Sequence, residues 1–375
     1  MTRRIDTDVA IIGAGLVGSS AALRLRRMGF LVALLDKGFC GAQASGVNYG
    51  GVRRQARPPE QLPLSQRSHA IWPRLKALIG IDGEFLRSGH LKLARTEADM
   101  ASLESYASRV ASFGLDLELV GHNQLRERFG ISGHVVGGSF CPGDGHANPR
   151  LVASGFAAAA RRAGVEVLEN TAVIGAMKSS NGFALEAGGV SLRARVVINS
   201  AGAWADTFAR DFGEPVPLQR TYPSIVVTEP LAPFLGVNIG MEGGGIYARQ
   251  VTRGNFILGG ERALPLENPD YSRPRSDGVL AIMQRASGLF GGLRHAHAIR
   301  FWSGTEGTMP DNNPVIGPSS TTPGLIHAFG FSGAGFQIAP GVGDVLAELV
   351  RDGRTSTPIE PFAIGRFKQA GTDKQ

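Results

Sequence analysis

The chain has 375 residues, which at roughly 150 residues per domain favours two domains over one compact core. With 43% apolar and only 19% charged residues, a net charge of +7 excludes an extended disordered chain, which needs few apolar residues and a high net charge. The 52 glycines are about twice the usual share and follow no Gly-x-y period, so the backbone is expected to come close to something, often a ligand.

The positive surplus is spread along the sequence. Its densest cluster, Arg53, Arg54 and Arg57, is short and lacks interleaved aromatics, which argues against nucleic-acid binding and for local use on an anionic substrate or cofactor. Cys40 and Cys141 make no Cys-x-x-Cys. That excludes a zinc ribbon, an iron–sulfur ligand set or a redox dithiol built by this chain alone, and the two read as reduced, buried thiols of a cytosolic protein. The longest uncharged run, Val9 to Leu23, is shorter than the ~20 residues of a membrane-spanning helix. Arg3-Arg4 suggests a twin-arginine export signal, but Asp6 and Asp8 stand where such a signal should lack acids. The expectation is a cytoplasmic protein with no transmembrane segment.

In chain order, Asp8 to Ile12 is an apolar run of strand length, and Gly13-Ala14-Gly15-Leu16-Val17-Gly18 follows at once. A helical stretch then runs from Leu16 to Met28, and a second apolar run, Phe30 to Leu35, stops at Asp36 and Lys37. Strand, glycine turn, helix, strand and acid come in the order a dinucleotide-binding βαβ unit requires. Gly13 permits the tight turn. Gly15 lets a pyrophosphate approach the N–H groups at the helix start, and Gly18 lets the helix pack close to the sheet. Asp36 would accept hydrogen bonds from ribose hydroxyls. NAD and FAD both fit this unit.

Next comes a segment of small residues, Ala44-Ser45-Gly46-Val47-Asn48-Tyr49-Gly50-Gly51. A polar helix is expected over Glu97 to Phe113, and Val196 to Asn199 reads as a buried strand running into Ser200-Ala201-Gly202 and Trp204. Ile246 to Val251 and Asn255 to Gly260 flank the turn Thr252-Arg253-Gly254 as a hairpin. Leu325 to Phe329 is a last strand leading into Gly330 to Gln337, with a helix expected to open at Pro340 in its first turn.

This series resembles the D-amino-acid-oxidase superfamily of flavoproteins over essentially the whole chain. The resemblance implies an α/β fold in which a Rossmann-like FAD-binding domain (1–85, 145–217 and 305–375) is interleaved with a smaller, antiparallel-sheet α+β substrate domain (86–144 and 218–304). It implies that Ser45 contacts the pyrophosphate, that Gly50 and Gly51 lie along the flavin ring, and that Ala44 and Asn48 also bind the cofactor. Val173 corresponds to a residue at the adenine, Ala201, Gly202 and Trp204 to a wall segment, and Gly333, Gly335, Phe336 and Gln337 to a loop near the pyrimidine edge. No cysteine lies near Trp302, where several members tether their flavin, so the FAD is expected to be non-covalent.

Trp302 to Gly317 looks most like the flavoprotein subunits of opine and D-hydroxyproline dehydrogenases, which implies partner subunits carrying electron-transfer centres. Glu306 stands where the glycine-oxidase branch usually has a carboxylate-binding arginine. Arg53 or Arg249 could serve instead, since a guanidinium fork fits a carboxylate. Tyr247 would share a strand face with Arg249, and Glu306 could pair with an amino group. The implied reaction is hydride transfer from the C–N carbon of an amino acid, imino acid or opine to flavin. A stand-alone glycine, D-amino-acid or sarcosine-type oxidase using oxygen, and a non-catalytic flavin-holding subunit, are the alternatives. His295 and His297 alternate on an expected strand, but two histidines alone do not make a metal site, and none is expected.

Overall fold

The computed structural model describes residues 3–371. Five strands of its first sheet lie parallel in the order Leu325–Phe329, Val190–Asn199, Arg3–Ile12, Val32–Leu35 and Glu166–Leu168. Val315–Pro318 closes one edge antiparallel to Leu325–Phe329, and the hairpin Val173–Ser179/Gly182–Ala187 pairs with the first half of Val190–Asn199. Val9 and Ile11 face the helices Leu16–Arg27, Pro149–Arg162 and Gly335–Asp352, whereas Ala10 and Ile12 face the hairpin side. A parallel sheet covered on both faces needs an apolar residue at every position, which is why the first run has no polar break.

The second sheet has the order Ala298–Ser303, Pro223–Pro230, Asn255–Arg262, Tyr247–Gln250, Asn238–Met241, His90–Ala94, Gly137–Cys141 and Glu118–Gly121. One face packs on the helices Ser276–Leu289 and His122–Phe129 through Val226, Leu258, Ile282 and Leu125. Its pairing is antiparallel except between Asn238–Met241 and His90–Ala94. These two strands are joined by a long passage through the first sheet, so no hairpin turn dictates their direction. The chain visits the first sheet in three stretches and the second in the two between them.

The expected hairpin forms from Tyr247–Gln250 and Asn255–Arg262, and Glu97–Val110 is a helix with a Thr96/Asp99 capping box. The last helix departs from expectation. It begins at Gly335, five residues before Pro340, which lies inside it. Neighbouring side chains take over the bonds that a proline interrupts. The Gln337 carbonyl accepts from Ser68 Oγ (2.6 Å) and Trp72 Nε1 (2.9 Å), and Gly341 N–H donates to Ser68 Oγ (3.2 Å).

Two buried contacts tie the first sheet together. A Cβ on Gly18 would lie 2.0 Å from the Gly13 carbonyl oxygen, and one on Gly13, whose φ is +101°, would lie 2.3 Å from the Ser200 oxygen. The helix, the turn and the segment that follows Val190–Asn199 therefore touch backbone to backbone. Farther along, Glu214 and His327, both with fully buried side chains, meet at 2.9 Å, and Glu214 also accepts from Ser319 Oγ and from Ser320 N and Oγ (each 2.6 Å). Burial alone would raise the Glu214 pKa, but these bonds together hold it down at about 2.

Gly18→Ala should lower stability by roughly 1–3 kcal/mol through overpacking, read as an earlier urea midpoint. Because the folded pKa of Glu214 lies below its ordinary 4.5, its stabilisation is present above pH 4.5 and drains away as pH falls toward 2. Glu214→Gln should cost about 2 kcal/mol at pH 7, and urea midpoints at pH 3 should show a smaller gap from the parent.

Candidate functional site

The parallel strands Arg3–Ile12, Val32–Leu35, Val190–Asn199 and Leu325–Phe329 deliver Gly13, Asp36, Ser200 and Gly330 to one cleft at their carboxyl ends, where α/β sheets bind ligands. The cleft, about 1110 Å³, is walled on its far side by the second sheet through Ile225, Tyr247 and Gly260. It exceeds the ~300–1000 Å³ typical of pockets for drug-sized molecules.

Gly13, Gly15, Val17, Asp36, Lys37, Ala44, Ser45, Asn48, Gly50, Gly51, Val173, Ala201, Gly202, Trp204, Gly333, Gly335 and Phe336 all line it. Residues from both ends of the chain thus converge on one cavity. Ser45 Oγ accepts from Leu16 N–H (2.9 Å), placing an oxygen over the helix start, where a partial positive charge favours anions. Asp36 accepts from Ala14 N–H and Gly38 N–H (2.8 Å each), and burial raises its pKa despite them. Asn48 shapes the next turn: its Oδ1 accepts from Gly50 N–H (2.7 Å). Gly50 itself, with φ +88°, has no room for a Cβ, which would lie 2.2 Å from the Ala147 oxygen.

Five expected site residues lie outside the cleft wall. Ala14 and Leu16 donate backbone N–H groups to the residues that form it, and Gly18 is packed behind against Gly13. Gln337 is fully buried and turned away: its Oε1 accepts from Ser65 Oγ (2.7 Å) and its Nε2 donates to the Ser65 carbonyl (3.0 Å). Arg249 shares its strand face with Tyr247, but its Nε donates to the Tyr49 carbonyl (2.9 Å), so it braces the wall from behind.

Arg53, Tyr247 and Glu306 do reach the cleft, and they are joined there by Arg57, His90 and Arg262. Asp144 explains the arginine cluster. It takes up Arg54 through that residue's backbone N–H (2.9 Å) and Nε (3.0 Å), leaving Arg53 and Arg57 to face the opposite way. Arg57 is only 5% exposed, and its Nε donates to the Arg53 carbonyl (3.3 Å). Among the described residues neither Arg53 nor Arg57 has a carboxylate within 4.0 Å. Burial, and next the Arg53 charge, pull the Arg57 pKa well below its usual value. Across from them burial pushes the Glu306 pKa up, against the pull of Arg262 and Arg57. The Tyr247 ring lies over Gly259, where a Cβ would sit 2.2 Å from it, and meets Tyr49 edge-on at 4.7 Å. Burial keeps His90 neutral, and its Nδ1 lies 2.9 Å from the Gln55 amide nitrogen.

At the nucleotide end a strap of the second sheet crosses over. Asp270 pairs with Lys37 and accepts from Trp204 Nε1, while the Lys37 ammonium sits 3.8 Å from the centre of the Trp204 ring. Sequence reading missed Asp270, Tyr49, His90 and Arg262, which carry no local motif; Arg57 was visible only as part of a basic cluster. Burial pushes the thiols of Cys40, which is only half-buried, and Cys141 up to about 12, and neither lines the cleft. His295 and His297 are exposed and precede the strand that starts at Ala298; among the described residues no metal-ligating cluster forms.

The glycine-lined turn, the anion-favouring helix start and the Asp36 carboxylate fit a flavin dinucleotide. Comparison with known proteins agrees. The chain is 27% identical over 376 residues to glycine oxidase of Geobacillus kaustophilus (strain HTA426), covering 98% of each. It is 28% identical over 377 residues to one of the subunits of opine oxidase from Rhizobium meliloti, covering 96% of this chain and 98% of that one. The crystal structure of the Geobacillus kaustophilus glycine oxidase superposes with a TM-score of 0.90 at 25% identity, over 96% of this chain and 99% of the other. Residues 8–349 match the model of the FAD dependent oxidoreductase (DAO) family, and the chain belongs to that family.

Proposed function

We propose that this enzyme oxidises the C–N bond of a carboxylate-bearing amine, namely an amino acid, an imino acid or an opine. The observation that carries this reading is the pair of guanidiniums with no carboxylate of their own, half-buried Arg53 and buried Arg57, facing Glu306 across the cleft. A buried charge is costly unless paired, so the substrate carboxylate completes the site. Arg249 does not take this role, because it does not line the cleft.

Gly13, Gly15, Ser45 and Asp36 would hold the dinucleotide half of FAD, Val173 its adenine end, and Gly50, Gly51 and the Gly333–Phe336 loop its ring. Bound FAD supplies the acceptor for hydride from the carbon beside nitrogen. The chain does the rest. Arg53 and Arg57 fix the carboxylate and so orient the C–H bond. Glu306 takes the ammonium proton on its carboxylate, leaving the neutral amine, and Tyr247 closes that wall against water. Cys40 and Cys141 lie outside the cleft wall, which supports a non-covalent flavin.

We also propose that the enzyme works with partner subunits carrying electron-transfer centres. The opine oxidase relative is itself one subunit of its enzyme, which supports this, as does the lack of a cysteine pair here. Likeness to glycine oxidase supports a second reading, a stand-alone oxidase passing electrons to oxygen. Reoxidation of the reduced protein in air separates the two. The two unbonded cysteines are in keeping with a cytoplasmic setting.

Anaerobic mixing of the yellow holoprotein with D-proline, D-hydroxyproline, sarcosine, octopine or nopaline should bleach the flavin with at least one of them; no bleaching by any would leave only a flavin-holding role. Arg57→Leu should weaken that substrate at least ~30-fold, about 2 kcal/mol, with the reduction rate at saturation less affected, while Arg249→Lys leaves the affinity nearly unchanged. Glu306 accepts a proton only when ionised, so the reduction rate should rise with pH through an ionisation above the ordinary carboxylate value. Stopped-flow pH profiles of Glu306→Gln should lack that limb and keep only the substrate amine's own.

A further inference from the structure

The strand Ala298–Ser303 ends the second sheet. It is paired on one side with Pro223–Pro230, and among the described residues its other edge forms no ladder with a strand, although Ser303 Oγ at its end lies 2.8 Å from Ser272 Oγ. Proteins usually guard such an edge with lysines, prolines, a bulge or a covering loop, because unpaired N–H and C=O groups template the addition of another strand. Here the irregularity in pairing falls at the start, between Val227 and Thr228, and Arg300 to Ser303 pair regularly beyond it. Ile299, which the irregularity leaves without a partner, is 60% exposed, and Phe301 is 50% exposed. Apolar side chains on an open edge are a binding surface or an aggregation hazard.

The charge around this edge says what would cover it. Arg294 and Arg300 lie on the strand and its approach, Arg273 lies on the neighbouring Ser272–Arg273 strand, and Arg150 lies over the Trp302 ring, 5.2 Å from its centre, with Arg300 at 6.0 Å. All four are exposed and none has a carboxylate within 4.0 Å among the described residues. The nearby Glu229 carboxylate is engaged by the His297 backbone N–H (2.9 Å). A second copy of this chain would bring the same arginines against one another, and like charges on adjoining strands repel.

We infer that Ala298–Ser303 is a docking edge for an extended, acidic and apolar segment of a different protein chain, added as a ninth strand. Backbone hydrogen bonds supply the affinity, and carboxylates meeting Arg300 and its neighbours supply the selectivity. The edge is connected to the cleft: Trp302 Nε1 donates to the Val47 carbonyl (2.8 Å), two residues from Ser45, and the chain continues from Ser303 to Glu306. This inference stands apart from the substrate reading, since it concerns a surface that no substrate need touch.

The test uses purified holoprotein and a fluorescein-labelled nine-residue peptide of alternating glutamate and valine, followed by anisotropy. The expected result is saturable binding that Arg300→Glu and Phe301→Glu each weaken at least tenfold, that 0.5 M salt weakens, and that the lysine–valine counterpart does not show. Hydrogen exchange should register new protection at residues 299–303 when the peptide binds. Absence of binding, or binding indifferent to both substitutions, would overturn the inference. Sedimentation showing a dimer that Phe301→Glu dissociates would assign the edge to a second copy and overturn it too. So would co-sedimentation with phosphatidylglycerol vesicles that Arg300→Glu abolishes in the absence of peptide binding.

Discussion

Between the first helix and the sheet beneath it there is no space for a single methyl group. Gly18 rests on the carbonyl of Gly13, and Gly13 on that of Ser200, so three segments from opposite halves of the chain meet at backbone distance. The position of the helix start follows from this contact, and with it the direction in which its free N–H groups point. Asp36 and Ser45 then close on the same turn from either side through Ala14 N–H and Leu16 N–H. A cavity built this way has walls of backbone, whose shape side-chain rotamers do not alter.

The opposite end of the cleft is shaped by charge. Asp144 is fully buried and accepts two backbone N–H groups besides the Arg54 side chain. Its oxygens bond Arg54 and the turn, so it acts on Arg53 and Arg57 only through space and does not offset their burial. The fold thus holds two guanidiniums in a low-dielectric wall at the expense of their own basicity. Such an arrangement lowers stability in isolation and would be relieved by an anion entering the cleft.

How far the sequence could be read tracks how local each feature is. The first strand, glycine turn, helix and acid lie within 37 residues, each with a physical requirement only certain residues meet, and the family resemblance reached the FAD fold from them and the later glycine segments. Expectation failed where distant contacts overrode a local rule. Pro340 looked like a helix start, but Ser68 and Trp72, from a separate helical segment, satisfy the groups it leaves unbonded. Gln337 looked like a flavin contact, yet Ser65 holds it on the other side of the wall. Arg53, Arg54 and Arg57 are alike in sequence; only the placement of Asp144, about ninety residues on, separates the one that is structural from the two that face the cleft. Asp270 had no signal at all, since its partners Lys37 and Trp204 come from the other sheet.

That last cluster also bears on how the molecule moves. The strap carrying Asp270 is held across the mouth of the cleft by an ion pair to Lys37 and an indole N–H from Trp204, both partly in water. The contact at the strap is polar, whereas elsewhere on the cleft wall the Tyr49 and Tyr247 rings meet edge-on. Parting the strap from Lys37 and Trp204 would break an ion pair and an indole hydrogen bond, interactions that dissolved ions and water weaken. The hold of this strap on the mouth of the cleft therefore loosens as ionic strength rises.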